Sequence, residues 1–288
     1  MRAMRGFAPV PGGMNLTPGA GRDRGTRPER KPGGDPGRKE NRGRRPEQAG
    51  RAPVRRRDEE GDLPRPELPA DADVSELDRE IRQELLTLPK GLADLVGSHL
   101  VAAGRVLDED PQLALAHARF ARSRAGRVAA VREAAGLAAY HAGEWSEALA
   151  ELRAARRLGG GPGRLAVLAD CERALGRPER ALEIARSPEA AQLSTDEAVE
   201  LRMVAAGARR DLGQCDAAVI ALQGPELEVA GPEPWRARLR YAYADNLLAA
   251  GREQDAIRWF LAAADVDAED ATDAGERAIE LSEHSDPQ

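Results

Sequence analysis

The chain has 288 residues, a formal net charge of −6, 32% charged residues and only 3% aromatic residues. It carries two cysteines, Cys171 and Cys215, which belong to no CxxC pair, and no run of the ~18 apolar residues that a membrane-spanning helix needs; a disulfide framework and a membrane span are both excluded. The small net charge conceals two parts of opposite sign, since residues 1–57 hold 16 Arg/Lys against 5 Asp/Glu (+11) and residues 58–288 hold 27 against 44 (−17).

In residues 1–57, 11 glycines and 8 prolines stand among few large apolar residues (Phe7, Val10, Leu16 and Val54). Such a segment cannot bury enough surface to offset the entropy of ordering, so a disordered basic arm is expected, running with a Pro-rich linker to residue 70. Its first residues are positively charged but lack a signal-length apolar stretch, and a cytoplasmic protein with both cysteines as small buried apolar residues is expected. Beyond the linker, Ser75 followed by Asp78 reads as a capping-box variant opening a helix to about Leu88, ended by Pro89 and Gly91. Helical patterns follow over 92–107, 112–123, 127–141 and 145–157, with Pro111 at a first helical position. After the cluster Gly159 to Gly163 come 164–175, 178–187 (cut short by Pro188), 196–212 and 215–222 (stopped by Gly224 and Pro225). The last patterns are 235–250, 253–265 and 272–284. No run alternates apolar and polar residues, so no strand is expected.

One spacing recurs four times: Gly136, Gly143, Ala148; Ala169, Gly176, Ala181; Ala206, Gly213, Ala218; and Ala244, Gly251, Ala256. The central glycines lie 33, 37 and 38 residues apart, and self-similarity at such a period marks an array of one supersecondary unit. In the last unit Leu239, Tyr243, Leu247 and Ala250 share one helical face, and Ala256, Phe260 and Ala263 share one on the next helix. A pair of short helices with one apolar stripe each cannot hide that stripe alone, which is why the unit must be stacked on others.

These residues resemble the tetratricopeptide repeat family, helix-turn-helix units of about 34 residues. The resemblance places Gly136, Ala169, Ala206 and Ala244 where the two helices cross, glycines at the turns, and Ala148, Ala181, Ala218 and Ala256 early in the second helices. Leu152, Leu222 and Phe260 fill the bulky position four residues later, where Ala185 is a weak match, and Ala138 to Leu149 is the closest stretch. It implies an all-α, tetratricopeptide-like α-solenoid of about five hairpins and a C-terminal capping helix, with repeats over 127–265, degenerate N-terminal helices over 71–126 and a cap and tail over 266–288. The Asp110–Pro111 pair also resembles the family's repeat-ending turn, which would make 92–107 a second helix; pairing 92–107 with 111–123 is the favoured alternative. The whole chain is similar to tetratricopeptide proteins of high-GC actinobacteria, and 40 Arg against three Lys fits such a genome.

Catalytic chemistry is not legible. His99, His117, His141 and His284 show no metal-ligand spacing, and the glycine cluster lacks the Gly-Lys-Ser/Thr ending of a phosphate loop, so no enzyme, cofactor or metal is expected. The resemblance instead implies a scaffold that holds a protein or peptide segment against the first helix of each pair. The implied groove residues are Glu133, Leu137, Tyr140, Asp170, Arg173, Met203, Arg210, Arg238, Tyr241 and Asp245, with no Lys/Asn cluster to grip a terminal carboxylate. Trp145 is expected in packing, and Trp259, at the edge of its stripe, is an interface candidate. The alternative is RNA or ribosome association through residues 1–57, on polyelectrolyte grounds; the arm could also fold back on the acidic body.

Overall fold

The computed structural model describes residues 65–159, 164–229, 231, 233 and 235–285. The expected disordered arm, the Pro-rich linker (62–69) up to residue 64, and residues 160–163 of the glycine cluster lie outside the described residues. Among those described there are thirteen α-helices and no strand: α1 (Arg79–Leu85), α2 (Lys90–Arg105), α3 (Pro111–Ala125), α4 (Ala129–His141), α5 (Trp145–Arg157), α6 (Leu165–Ala174), α7 (Pro178–Ala185), α8 (Thr195–Asp211), α9 (Cys215–Leu222), α10 (Pro225–Glu228), α11 (Trp235–Ala249), α12 (Glu253–Ala264) and α13 (Ala274–Ser285). The described residues are therefore all-α, and the Ala, Leu, Arg and Glu that fill them are strong helix formers.

Four of the turns are one motif. Gly143, Gly176, Gly213 and Gly251 have φ of 77°, 72°, 74° and 75°. Each glycine N–H bonds the carbonyl three residues back, and the next N–H reaches the carbonyl five back, at 2.8 Å for Glu144 to Ala139 and 2.9 Å for Arg177 to Glu172, Gln214 to Arg209 and Arg252 to Leu247. This is the paired bonding of a Schellman cap, which a left-handed glycine completes. The next helix then begins two residues after each glycine. The turn 106–110 closes differently, with the Asp110 carboxylate accepting from Leu113 N at 2.9 Å and Pro111 opening α3.

Helices joined by these turns pack as pairs, α4 on α5, α6 on α7, α8 on α9 and α11 on α12, and α2 packs on α3 in the same way. Consecutive pairs touch as well, through α3 with α4, α5 with α6, α7 with α8 and α9 with α11, and α13 covers α12. The crossing residues Ala169, Ala206 and Ala244, and the early alanines Ala148, Ala181, Ala218 and Ala256, are all 0% exposed. At Gly136 the fit is tighter still: an added Cβ would lie 2.6 Å from Leu152 Cγ. The core falls into three clusters in chain order, and α8 serves two of them, giving Leu201, Val204, Ala205 and Ala208 to the middle one and Val199, Met203 and Ala206 to the last.

Two expectations are corrected near the N-terminus. The capping box there is Asp73 with Glu76, not Ser75 with Asp78: Ser75 donates its own N–H to Asp73 at 2.8 Å, and the box opens only a 3-10 turn, Val74–Glu76. Leu77 is extended (φ −69°, ψ 148°), so the helix starts afresh at Arg79. Later, Pro188 does end α7, and the chain continues as a 3-10 segment, Pro188–Gln192, before a Ser194–Glu197 capping box launches α8.

Across α2 and α3 lies a buried contact without a sequence signature. His99 and His117, 0% and 2% exposed, meet Nδ1 to Nδ1 at 2.9 Å, so one ring must donate and the other accept. His99 Nε2 is buried with no partner. The tautomer that leaves a lone pair there, and not an N–H, has His99 donating through Nδ1. Burial, then the neighbouring His117 and Arg65, pushes His99 down to about 4, and burial also lowers His117.

Gly213→Ala, whose new Cβ meets nothing within 4 Å, should cost about 1–2 kcal/mol through backbone strain alone. Gly136→Ala should still lose about 1 kcal/mol net, because crowding of Leu152 exceeds the gain in helix propensity; urea unfolding of both variants checks this. For the histidine pair, both folded-state values lie below the ordinary ~6.5, so the unfolded chain takes up protons first as pH falls. Stability is fully present above pH ~6.5 and falls toward pH 4. The double variant His99→Leu/His117→Leu should flatten that slope while changing stability little at pH 8, measured by denaturant midpoints across the range.

Candidate partner-binding face

The residues implied as a groove do converge on neighbouring helices, but they engage one another. The Tyr140 hydroxyl on α4 donates to Asp170 Oδ2 on α6 at 2.6 Å, and Arg164 Nε, at the start of α6, donates to Glu133 Oε1 on α4 at 2.9 Å. Arg173 on α6 holds Asp170 Oδ1 at 2.9 Å and Asp211 Oδ2 on α8 at 2.7 Å. Arg210 on α8 bonds Asp245 on α11, and Asp245 in turn faces Arg277 on α13 at 3.6 Å. Arg277 also donates to the Tyr241 hydroxyl at 3.3 Å. Arg238 on α11 bonds Glu200 on α8. Each of the six charged residues implied as groove contacts thus meets an opposite charge.

The remaining implied residues are mostly interior. Tyr140 is 0% exposed, and burial, reinforced by the Asp170 carboxylate, drives its phenol far above the ordinary range. Leu137 and Met203 are each 7% exposed and belong to the core clusters, which corrects their placement on an open groove. Tyr241 is half-buried, edge-on to Phe260 at 5.2 Å, its hydroxyl pushed up to about 12 by burial and by Asp273. Trp259 is half-buried and edge-on to Tyr243 at 5.0 Å, whose hydroxyl accepts from Gln223 Nε2 at 3.3 Å. Trp145 stands edge-on to Tyr140 at 5.3 Å.

The partners missed by the sequence reading had a signal. Tyr140–Asp170, Arg173–Asp211, Arg210–Asp245 and Glu200–Arg238 are 30, 38, 35 and 38 residues apart, about one repeat. Opposite polar groups at the repeat period on successive first helices are brought face to face by stacking. The Glu200–Arg238 tie is the least well satisfied: Glu200 Oε2 and Arg238 Nε are buried without partners, and burial raises the Glu200 carboxyl despite the guanidinium.

Reactive groups are few. Cys171 is buried and its thiol pushed up to about 12 by that burial, whereas Cys215 is half-exposed, which corrects the expectation that both are interior. His141 Nδ1 lies 3.7 Å from Asp108, and burial lowers its pKa. Among the described residues no cluster of three or more His, Cys, Asp or Glu is arranged to hold a metal ion, and no helix is long and apolar enough to cross a membrane. Beside the paired face, α7, α8 and the 188–192 turn enclose a cleft of ≈ 370 Å³ that Leu182, Leu193, Leu201, Arg186, Arg202 and Arg209 help to line. No protein-family model matches the chain, and no curated protein matches it.

If the face is built of ties between helices, removing one should be felt in folding. Tyr140→Phe, which strips Asp170 of a buried donor, should lower unfolding free energy by about 1.5–3 kcal/mol, since the acceptor is charged. Calorimetry or urea titration measures the loss.

Proposed function

We propose that the chain is a non-catalytic scaffold: a tetratricopeptide-like α-solenoid of five hairpins (α2/α3, α4/α5, α6/α7, α8/α9 and α11/α12) closed by α13, which holds a segment of a partner protein in the cytoplasm. The observation that carries this reading is the fourfold Schellman turn at Gly143, Gly176, Gly213 and Gly251, each followed by a fully buried alanine five residues on. The same turn and a small crossing residue recur in four of the pairs, and stacked pairs of one kind offer an extended surface suited to a chain segment. The half-exposed Trp259 on the second helix α12 and the outer rims of the tied residues on the first helices are the surface such a segment could meet.

A second reading draws on the charge of the arm. With +11 over residues 1–57, the arm could release counterions from nucleic-acid phosphates and make this an RNA- or ribosome-associated protein. Affinity capture with the full chain and with residues 65–288, followed by titration of each with the purified partner, separates the two. The scaffold reading expects one protein partner recovered by both forms with equal affinity. Recovery of RNA by the full chain alone, lost when the arm is removed, would establish the second reading in its place.

A further inference from the structure

The cleft beside α8 owes its existence to a mismatch of lengths. α8 has 17 residues and its flanking second helices α7 and α9 only eight each, against 13 in α5. At 1.5 Å per residue α8 is about 25 Å long and each neighbour about 12 Å, so they cannot cover it from end to end. Pro188 and the Gly224–Pro225 pair set those short lengths. What is left open is apolar at its base, where Leu182 and Leu201 are 7% and 4% exposed, and arginine-rich at its margin.

The arginines that line the cleft differ in their partners. Arg180 on α7 and Arg210 on α8 have carboxylate partners, as do Arg173 on α6 and Arg177 just before α7, and in the cleft Arg202 shares Glu226 at 3.2 Å. Arg186 and Arg209 have no acidic partner among the described residues, although the chain from residue 58 on carries a net −17. The nearby carboxylates are committed elsewhere, Glu183 to Arg180, Glu189 to Arg156 and Glu197 to the Ser194 cap. An apolar base edged by two uncompensated guanidiniums suits a group that is aliphatic on one side and anionic on the other.

We propose that this cleft is the docking site for an acidic peptide segment of a partner, with an aliphatic side chain laid on Leu182, Leu193 and Leu201 and flanking carboxylates paired with Arg186 and Arg209. The inference rests on the scaffold reading and moves the main contact from the self-paired first-helix face to the cleft. The net +11 of residues 1–57 has the wrong sign for this site.

The test uses the full chain and a fluorescein-labelled twelve-residue peptide, two leucines flanked by glutamates, followed by anisotropy. The expected result is saturable binding that weakens with salt, falls about tenfold in Arg186→Glu/Arg209→Glu with far-UV circular dichroism unchanged, and is untouched by Arg157→Glu on α5. A peptide with glutamine for every glutamate should bind as weakly as the double variant does to the parent. Absence of saturable binding, or equal binding by the double variant, would overturn the proposal. So would dodecanoate displacing the peptide and binding more tightly, which would assign the cleft to a small amphiphile, or a dimer abolished by the two substitutions, which would assign it to a second copy. A captured partner indifferent to both arginines would overturn the cleft assignment and leave the scaffold reading standing, whereas no protein partner at all tells against that reading itself.

Discussion

Two helices can approach to about 8–10 Å only where little more than backbone stands between them. In this chain that constraint is met at Gly136, Ala169, Ala206 and Ala244, and its tightness is measured at Gly136, where a single added carbon would fall 2.6 Å from Leu152 Cγ. Close approach fixes the hairpin, and the glycine turn fixes its hand and length, because each Schellman bond pair leaves the following N–H pointing back into the helix just ended. Where successive hairpins share this turn and a small crossing residue, equivalent positions on their first helices face one another. The Arg–Asp ties are thus a consequence of the small crossing residues, and they form at one-repeat separation for that reason.

What the ties contribute is register more than stability. An exposed ion pair is worth about 0–1 kcal/mol, and a more buried one must first overcome its own desolvation. Arg173 spans Asp170 and Asp211, and Asp245 spans Arg210 and Arg277, so the ties run from α6 through α8 to α13 with members shared between junctions. A slip of one helix along the next would strand several half-buried charges at once. Apolar stripes of alanine and leucine do not discriminate between neighbouring registers so sharply, since alanine meets alanine in each of them.

The parts of the fold that were legible in the sequence are those set locally. A left-handed glycine, a proline at a first helical position or an alanine between two helices acts within a few residues, and α5 and α9 run between the very residues their patterns delimit. The capping box at Asp73 was misread because Ser75 and Asp78 offer the same residue types in nearly the same spacing, and the choice depended on Leu77 being extended. The His99–His117 contact joins residues 18 apart across a hairpin whose turn has no glycine, so no local rule announces it. Of the candidate site, residue positions were legible but not their availability: Asp170 or Arg210 reads the same in the sequence whether it faces solvent or a counter-ion on the next helix. The counter-ions could be found only by pairing residues one repeat apart.

The two ends of the stack and its middle are finished differently, and that decides where apolar surface stays open. At the C-terminal end α13 sets Ala274 and Ala278, each 1% exposed, against the core. It turns Glu276, Glu280 and Glu283 outward, so that Ile279, 60% exposed, stands among carboxylates instead of forming a patch. At the N-terminal end Arg105 clasps Asp71 and Glu76 at 3.0 and 2.6 Å, drawing the Val74–Glu76 turn onto α2. A polar outer surface on terminal units keeps a stack of helix pairs soluble. The middle has no such finish, because α8 feeds two core clusters while both second helices beside it stop after eight residues. With both flanking second helices ending after eight residues, α8 keeps an apolar-based cleft at its side, next to Arg186 and Arg209, which have no acidic partner among the described residues.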